Sequence, residues 1–172
     1  MGKITFVLGG ARSGKSTYAL SAAKKNKQKV AFIATCQPLD KEMECRIDLH
    51  KRSRPIHWKT FEEAKNVDAL LADIGGGFNC IIIDCLTLLV SNLILAGSGR
   101  KVIEDKILKI IACLKKKKGR AIIVSNEVGL GVVPVNKLAR DFRDIAGSVN
   151  QIMARESDEV IFMVSGIPWK IK

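Results

Sequence analysis

The stretch Gly9-Gly-Ala-Arg-Ser-Gly-Lys-Ser16 lies between an apolar run, Ile4 to Leu8, and a segment of helical pattern, Thr17 to Lys24. No other part of the chain restricts the fold so tightly. A strand that enters a glycine-rich turn and leaves as a helix points successive backbone N–H groups inward, where they and the helix N-terminus can hold a polyphosphate. The eight positions fit the phosphate-loop pattern, so Gly9, Gly10, Ala11, Arg12, Ser13, Gly14, Lys15 and Ser16 are expected at a nucleotide. Gly9 and Gly14 allow backbone angles that a Cβ forbids, Lys15 reaches the β- and γ-phosphate oxygens, and the Ser16 hydroxyl is placed to ligate Mg²⁺. Lys15 is expected to face solvent until a phosphate arrives. The competing reading, a chance glycine turn, lacks the flanking strand and helix that are present here.

At 172 residues, 47% of them hydrophobic, the chain is expected to form one α/β domain over residues 1–172. Its longest apolar runs, such as Ile81 to Ile83 and Val160 to Val164, are strand-sized, far short of the roughly 20 residues a membrane span needs. The N-terminus reads directly into a strand with no secretory signal, and the five cysteines show no paired-ligand spacing. Both point to a cytoplasmic protein with reduced thiols. The net charge of +12 invites a nucleic-acid partner. However, the densest cation runs, Lys24 to Lys29 and Lys115 to Lys118, fall at helix ends without interleaved aromatics, so a solvated basic surface is the expectation.

Along the chain, Val30 to Ala34 reads as a strand leaving the sheet at Thr35-Cys36-Gln37-Pro38, which makes Thr35 and Cys36 candidate nucleotide neighbours. Asp40 to Lys51 reads as a charged helix with Met43 and Ile47 as its apolar stripe. Arg46, His50, Lys51, Arg52 and Arg54 then gather just before Pro55, and one imidazole among cations suited to screening a phosphate is a candidate nucleophile. The plainer reading is a surface histidine in a basic helix. Pro55 to Thr60 is expected to be extended, and Phe61 to Leu71 to be an amphipathic helix with Glu62 and Glu63 in its first turn.

Cys80-Ile-Ile-Ile-Asp84 is the second strong signal, an apolar strand ending in a carboxylate that would complete a Mg²⁺ site with Ser16. Helices are expected over Leu86 to Leu95, Val102 to Leu114 and Lys137 to Glu156, the last with Leu138, Phe142, Ile145, Val149 and Ile152 inward. Ala121 to Ser125 reads as a buried strand closing at Asn126-Glu127, polar residues that face the phosphates. Glu159 to Ser165 is the last major strand, followed by a short segment at Trp169 to Ile171.

Taken together, these stretches resemble the bifunctional adenosylcobinamide kinase/adenosylcobinamide-phosphate guanylyltransferases of cobalamin biosynthesis. The resemblance rests on the phosphate loop, on Ile33-Ala-Thr35, and on Arg46-Ile with His50 and Arg54-Pro55 before Trp58. It extends through Ser125-Asn-Glu-Val-Gly129 with Pro134, Phe142-Arg-Asp-Ile-Ala-Gly147 with Val149-Asn150, Val164-Ser-Gly166 and Lys170-Ile-Lys172. It implies a RecA-like phosphate-loop NTPase fold with a mostly parallel central sheet flanked by helices, assembled as a homotrimer. The implied chemistry is phosphorylation of the aminopropanol hydroxyl of adenosylcobinamide by ATP or GTP, then transfer of GMP to that phosphate. His50 would be the residue that becomes guanylylated. Ala34, Thr35, Cys36, Lys51, Arg52, Ser53, Arg54, Glu62 and Asp84 would surround the nucleotide. In the kinase step Lys15 is expected to neutralise phosphate charge, with Glu127 or Asp84 nearby to take the hydroxyl proton. Two rival readings remain open from sequence: a small-molecule kinase without transferase activity, and a RecA-like nucleic-acid-binding NTPase.

Overall fold

The computed structural model describes residues 2–24, 29–38, 41–52 and 54–172, without the side chains of residues 42, 43, 45 and 46. Ser53 and the side chain of Arg46, both expected near the nucleotide, lie outside the described residues, as does that of Met43. The strands are β1 (Lys3–Gly9), β2 (Val30–Ala34), β3 (Lys59–Glu62), β4 (Cys80–Asp84), β5 (Arg120–Asn126), β6 (Glu159–Val164) and β7 (Ile167–Lys170). The helices are α1 (Lys15–Lys24), α2 (Lys41–Arg52), α3 (Val67–Asp73), α4 (Leu86–Leu95), α5 (Arg100–Lys116) and α6 (Lys137–Glu156).

Among the described residues one sheet runs in the order β3-β2-β4-β5-β1-β6-β7. Every neighbouring pair is parallel except β6 with β7, where Met163 faces Pro168 on an edge strand that tolerates proline. The central strands are apolar runs because both faces are covered. Alternation then divides their side chains: Ile81, Ile83, Ile123, Phe6 and Ile33 pack with α3 to α6, while Ile82, Ile122, Val124, Val7 and Phe32 pack with Ala19 and Ala23 of α1 and with Trp58. Among the described residues no helix is long and apolar enough to cross a membrane.

The strands and helices read from the apolar runs occur within a few residues of their expected bounds, with two corrections. Phe61 and Glu62 are not helical. They belong to β3, which pairs with β2 in the register Ile33↔Phe61 and Ala34↔Glu62, because the outer edge of β2 carries backbone groups that need partners. The Glu63 carboxylate then accepts the N–H groups of Lys65 (2.8 Å) and Asn66 (2.7 Å), turning the chain into a shorter helix that begins at Val67. Pro55 to Trp58 is a turn rather than an extended segment, with Trp58 N–H donating to the Pro55 carbonyl at 3.0 Å and the Trp58 ring buried. In α6 the inward face is carried by Ile145, Val149 and Met153, while Leu138 stays 52% exposed.

Candidate active site

The parallel strands leave their carboxyl ends along one edge of the sheet, and the chemistry-bearing residues collect there. β1 ends at Gly9 with φ 155°, and a Cβ at that position would stand 2.6 Å from the Met163 carbonyl oxygen. Gly14 has φ 92°, and its Cβ would press on Gly166 at 3.3 Å. The loop between them is braced from both sides: Gly166 N–H donates to Ser13 O at 3.0 Å and Glu127 N–H to Gly9 O at 2.9 Å. The β6–β7 turn is therefore a buttress of the loop, which the sequence alone does not suggest. α1 starts at Lys15, so its unpaired N–H groups open onto a cavity of about 830 Å³ lined by Ala11 to Thr17. Gly9 and Gly10 do not line that cavity.

Lys15 is 7% exposed, not solvent-facing as expected. Its ammonium folds back to donate to the Gly10 carbonyl and reaches the Ser13 hydroxyl at 3.4 Å. The Gly10 carbonyl and the Ser13 hydroxyl supply acceptors that a buried ammonium needs, so the side chain can turn inward. Burial lowers the Lys15 pKa below its ordinary value, and the neighbouring Cys85 and Asp84 oppose that shift.

Asp84, at the end of β4, is the electrostatic centre of the cavity. Burial raises its pKa, opposed first by a hydrogen bond from the Ser16 side chain and then by the charges of His50, Arg54 and Lys15. A buried carboxylate disposed in this way calls for cationic partners or a metal. Ser16 and Asp84 are hard oxygen donors within hydrogen-bonding reach of one another, a donor set that suits Mg²⁺, whose remaining positions are commonly water and phosphate oxygens. Among the described residues there is no further cluster of metal-ligating side chains.

α2 contributes the opposite wall through Glu44, Ile47, Asp48, His50 and Lys51. His50, exposed on the last turn of the helix, faces the same space as the phosphate loop and acts electrostatically on Asp84. Lys51 pairs with Glu62 at 2.6 Å across the cavity rim. The Arg54 guanidinium stacks on Phe32, 3.8 Å from the ring centre, and its buried Nε has no hydrogen-bond partner. Burial lowers the Arg54 pKa, and Asp84 and Glu62 oppose that shift.

The remaining expected residues divide. Ala34, Cys36, Glu62 and Asp84 line the cavity. Thr35 does not: it is fully buried, and its hydroxyl donates to Cys85 O (2.7 Å) while accepting from Cys85 N–H (2.8 Å). The same segment is held by Asn92, which donates to Thr35 O at 2.8 Å. Arg52 is exposed and off the cavity wall. Glu127 is off it too, its carboxylate accepting the Gly129 N–H at 2.7 Å, and β5 reaches the wall through Val124 and Asn126 instead. Thr87 and Asn92, two of the three polar residues in the largely apolar α4, are the available sequence signal for this supporting layer.

A protein-family model described as cobinamide kinase / cobinamide phosphate guanyltransferase (CobU) matches residues 5–171. The bifunctional adenosylcobalamin biosynthesis protein CobU of Salmonella typhimurium is 43% identical, covering 96% of this chain and 98% of its own length. The chain belongs to the CobU family. The protein of that name from Escherichia coli is 42% identical over 96% of this chain and 98% of its own, and CobP of Pseudomonas aeruginosa 41% over 96% and 95%. Solved structures place this CobU-family fold among RecA-like phosphate-loop proteins. The RadB recombinase superposes with a TM-score of 0.55 at 15% identity, over 93% of this chain and 73% of its own. A KaiC-like protein from Pyrococcus horikoshii gives 0.54 at 14%, over 93% and 70%.

Proposed function

We propose that this CobU-family enzyme phosphorylates the aminopropanol hydroxyl of adenosylcobinamide and then transfers GMP from GTP to the new phosphate through His50. The observation that carries this reading is that the phosphate loop, Asp84 and His50 border one cavity. In the kinase step the loop N–H groups and Lys15 hold the triphosphate while the substrate hydroxyl attacks the γ-phosphorus, so that positioning and charge neutralisation supply most of the rate. The hydroxyl proton is assigned to Asp84, which borders the cavity, or to Glu127, which follows the cavity-lining Asn126 and whose carboxylate is held by the Gly129 N–H. Ser16 and Asp84 would hold Mg²⁺, which supplies charge neutralisation at the phosphates.

In the transfer step a nitrogen of neutral His50 attacks the α-phosphorus of GTP. A P–N bond forms, the bond to the β-phosphate oxygen breaks, and pyrophosphate leaves. Lys51 and Arg54 line the same cavity and offset the charge that develops. An oxygen of adenosylcobinamide phosphate then attacks the phosphorus, breaks the P–N bond and restores the imidazole, giving adenosylcobinamide-GDP. The reading takes residues 1–172 as one cytoplasmic domain. It includes a homotrimer, supported by the exposed apolar side chains Leu130, Val132 and Val135, which are 80%, 94% and 97% accessible.

The test uses GTP labelled at the α-phosphorus. Wild-type protein should retain acid-labile, base-stable label, and His50→Ala should retain none while still phosphorylating cobinamide. Label on the variant, or none on wild type, leaves a kinase without transferase activity.

A further inference from the structure

Behind the cavity wall four residues form a closed ring of hydrogen bonds. Asn126 N–H donates to Thr87 Oγ1 at 2.6 Å, and Thr87 Oγ1 meets Ser125 Oγ at 3.0 Å. Ser125 Oγ donates to Asn150 Oδ1 at 2.8 Å, and Asn150 Nδ2 donates back to the Asn126 carbonyl at 3.1 Å. Because Ser125 gives its proton to Asn150, Thr87 must give its own to Ser125, so every proton in the ring has one direction. Thr87, Ser125 and Asn150 are 5%, 1% and 5% exposed, so the ring is dry, and such fully satisfied buried networks hold one geometry. It begins and ends on the two backbone groups of a single residue, Asn126.

That residue is the polar one of the two, Val124 and Asn126, that β5 places on the cavity wall. It pairs in register with Gly9, and the next N–H along binds Gly9 O, so the ring fixes Asn126 against the first glycine of the phosphate loop. Thr87 stands three positions after Asp84, which ties the ends of β4 and β5 to α6 through Asn150. We infer that Thr87, Ser125 and Asn150 are positioning residues that hold the Asn126 carboxamide against the terminal phosphate of a bound nucleoside triphosphate. This inference rests on the proposed nucleotide occupancy of the cavity but on neither reaction performed there. A displacement of about 1 Å at such a donor is enough to weaken a contact that a packed core otherwise keeps exact in register.

The test is the ratio of GDP to non-hydrolysable GTP-analogue dissociation constants, measured by calorimetry with Mg²⁺. Asn126→Ala and Asn150→Ala should each reduce the preference for the triphosphate roughly tenfold with GDP affinity unchanged, and the double variant should be no worse than either, as expected for residues acting as a unit. Thr87→Val, which keeps the volume and loses the hydroxyl, should behave like Asn150→Ala, and Thr87→Ser should restore the wild-type ratio. The threonine pair carries the test if Asn150→Ala does not fold. Retained triphosphate preference in Thr87→Val or Asn126→Ala, or equal weakening of both nucleotides, overturns the inference. Loss of the His50 label with an intact ratio would overturn the transferase reading and leave the ring standing.

Discussion

Replacing Lys15 by methionine separates what its ammonium does for the fold from what it does for the nucleotide. The side chain is 7% exposed, and its hydrogen bonds go to Gly10 O and Ser13 Oγ. Methionine has similar length and removes a charge that burial already disfavours, so the gain from relieved desolvation opposes the loss of those bonds, and the net change in stability should stay within about 1 kcal/mol. Triphosphate binding is different. Charge-assisted hydrogen bonds contribute about 1.5–3 kcal/mol each, and the ammonium must give up its loop contacts to reach two phosphate oxygens. The net loss should therefore be near about 2–3 kcal/mol, a weakening of roughly 30- to 150-fold.

The pH dependence has a definite sign. The folded pKa of Lys15 lies below 10.5, so the unfolded chain binds more protons as pH rises toward that value, and wild-type stability recovers relative to the variant. Any advantage of Lys15→Met at pH 7 should thus shrink toward pH 10. Denaturant unfolding at several pH values and calorimetric titration with a triphosphate analogue measure both quantities. The reasoning is refuted if the variant binds triphosphate within threefold of wild type, or if it is destabilised by much more than the expected margin at pH 7.

Asp84→Asn should raise stability at pH 7 by about 1 kcal/mol, because burial lifts the Asp84 pKa above 3.8 and the native state loses stability as pH rises through that window. Parallel stability curves for wild type and variant between pH 4 and 7 would contradict this, and the variant should also show a weakened Mg²⁺ requirement for nucleotide binding. Burial pushes the Cys80 thiol up to about 11 and the Cys85 thiol up to about 12, so iodoacetamide at pH 8 should spare both until the protein is unfolded, as peptide mass mapping would reveal. Gly9→Ala should cost about 1–3 kcal/mol and abolish nucleotide binding, since its Cβ would meet the Met163 carbonyl at 2.6 Å; full retention of binding by equilibrium dialysis would disprove the strained-loop account.

Much of this architecture is legible locally. The apolar runs Ile4 to Leu8, Cys80 to Ile83 and Ala121 to Val124 became central strands because residues buried on both faces must be continuously apolar, a property each run carries by itself. The phosphate loop is equally local, its glycines and Lys15-Ser16 being set by spacing within eight positions. Asp84 was readable as a carboxylate at a strand end. His50 stood out by its cationic neighbours, though only the family resemblance attached guanylylation to it.

Other features depend on partners that no local pattern names. Glu62 looked like a helix-start acid, but the open edge of β2 offered backbone hydrogen bonds and drew residues 59–62 into the sheet. Thr35 looked like a nucleotide neighbour, yet the backbone of Cys85, fifty positions away, takes its hydroxyl. Glu127 and Asn126 were indistinguishable in sequence; the turn that gives the Glu127 carboxylate to Gly129 N–H leaves Asn126 on the wall. The ring through Thr87, Ser125 and Asn150 joins three elements, and a hydroxyl or amide shows its partner only when packing has excluded water and left one acceptor within reach.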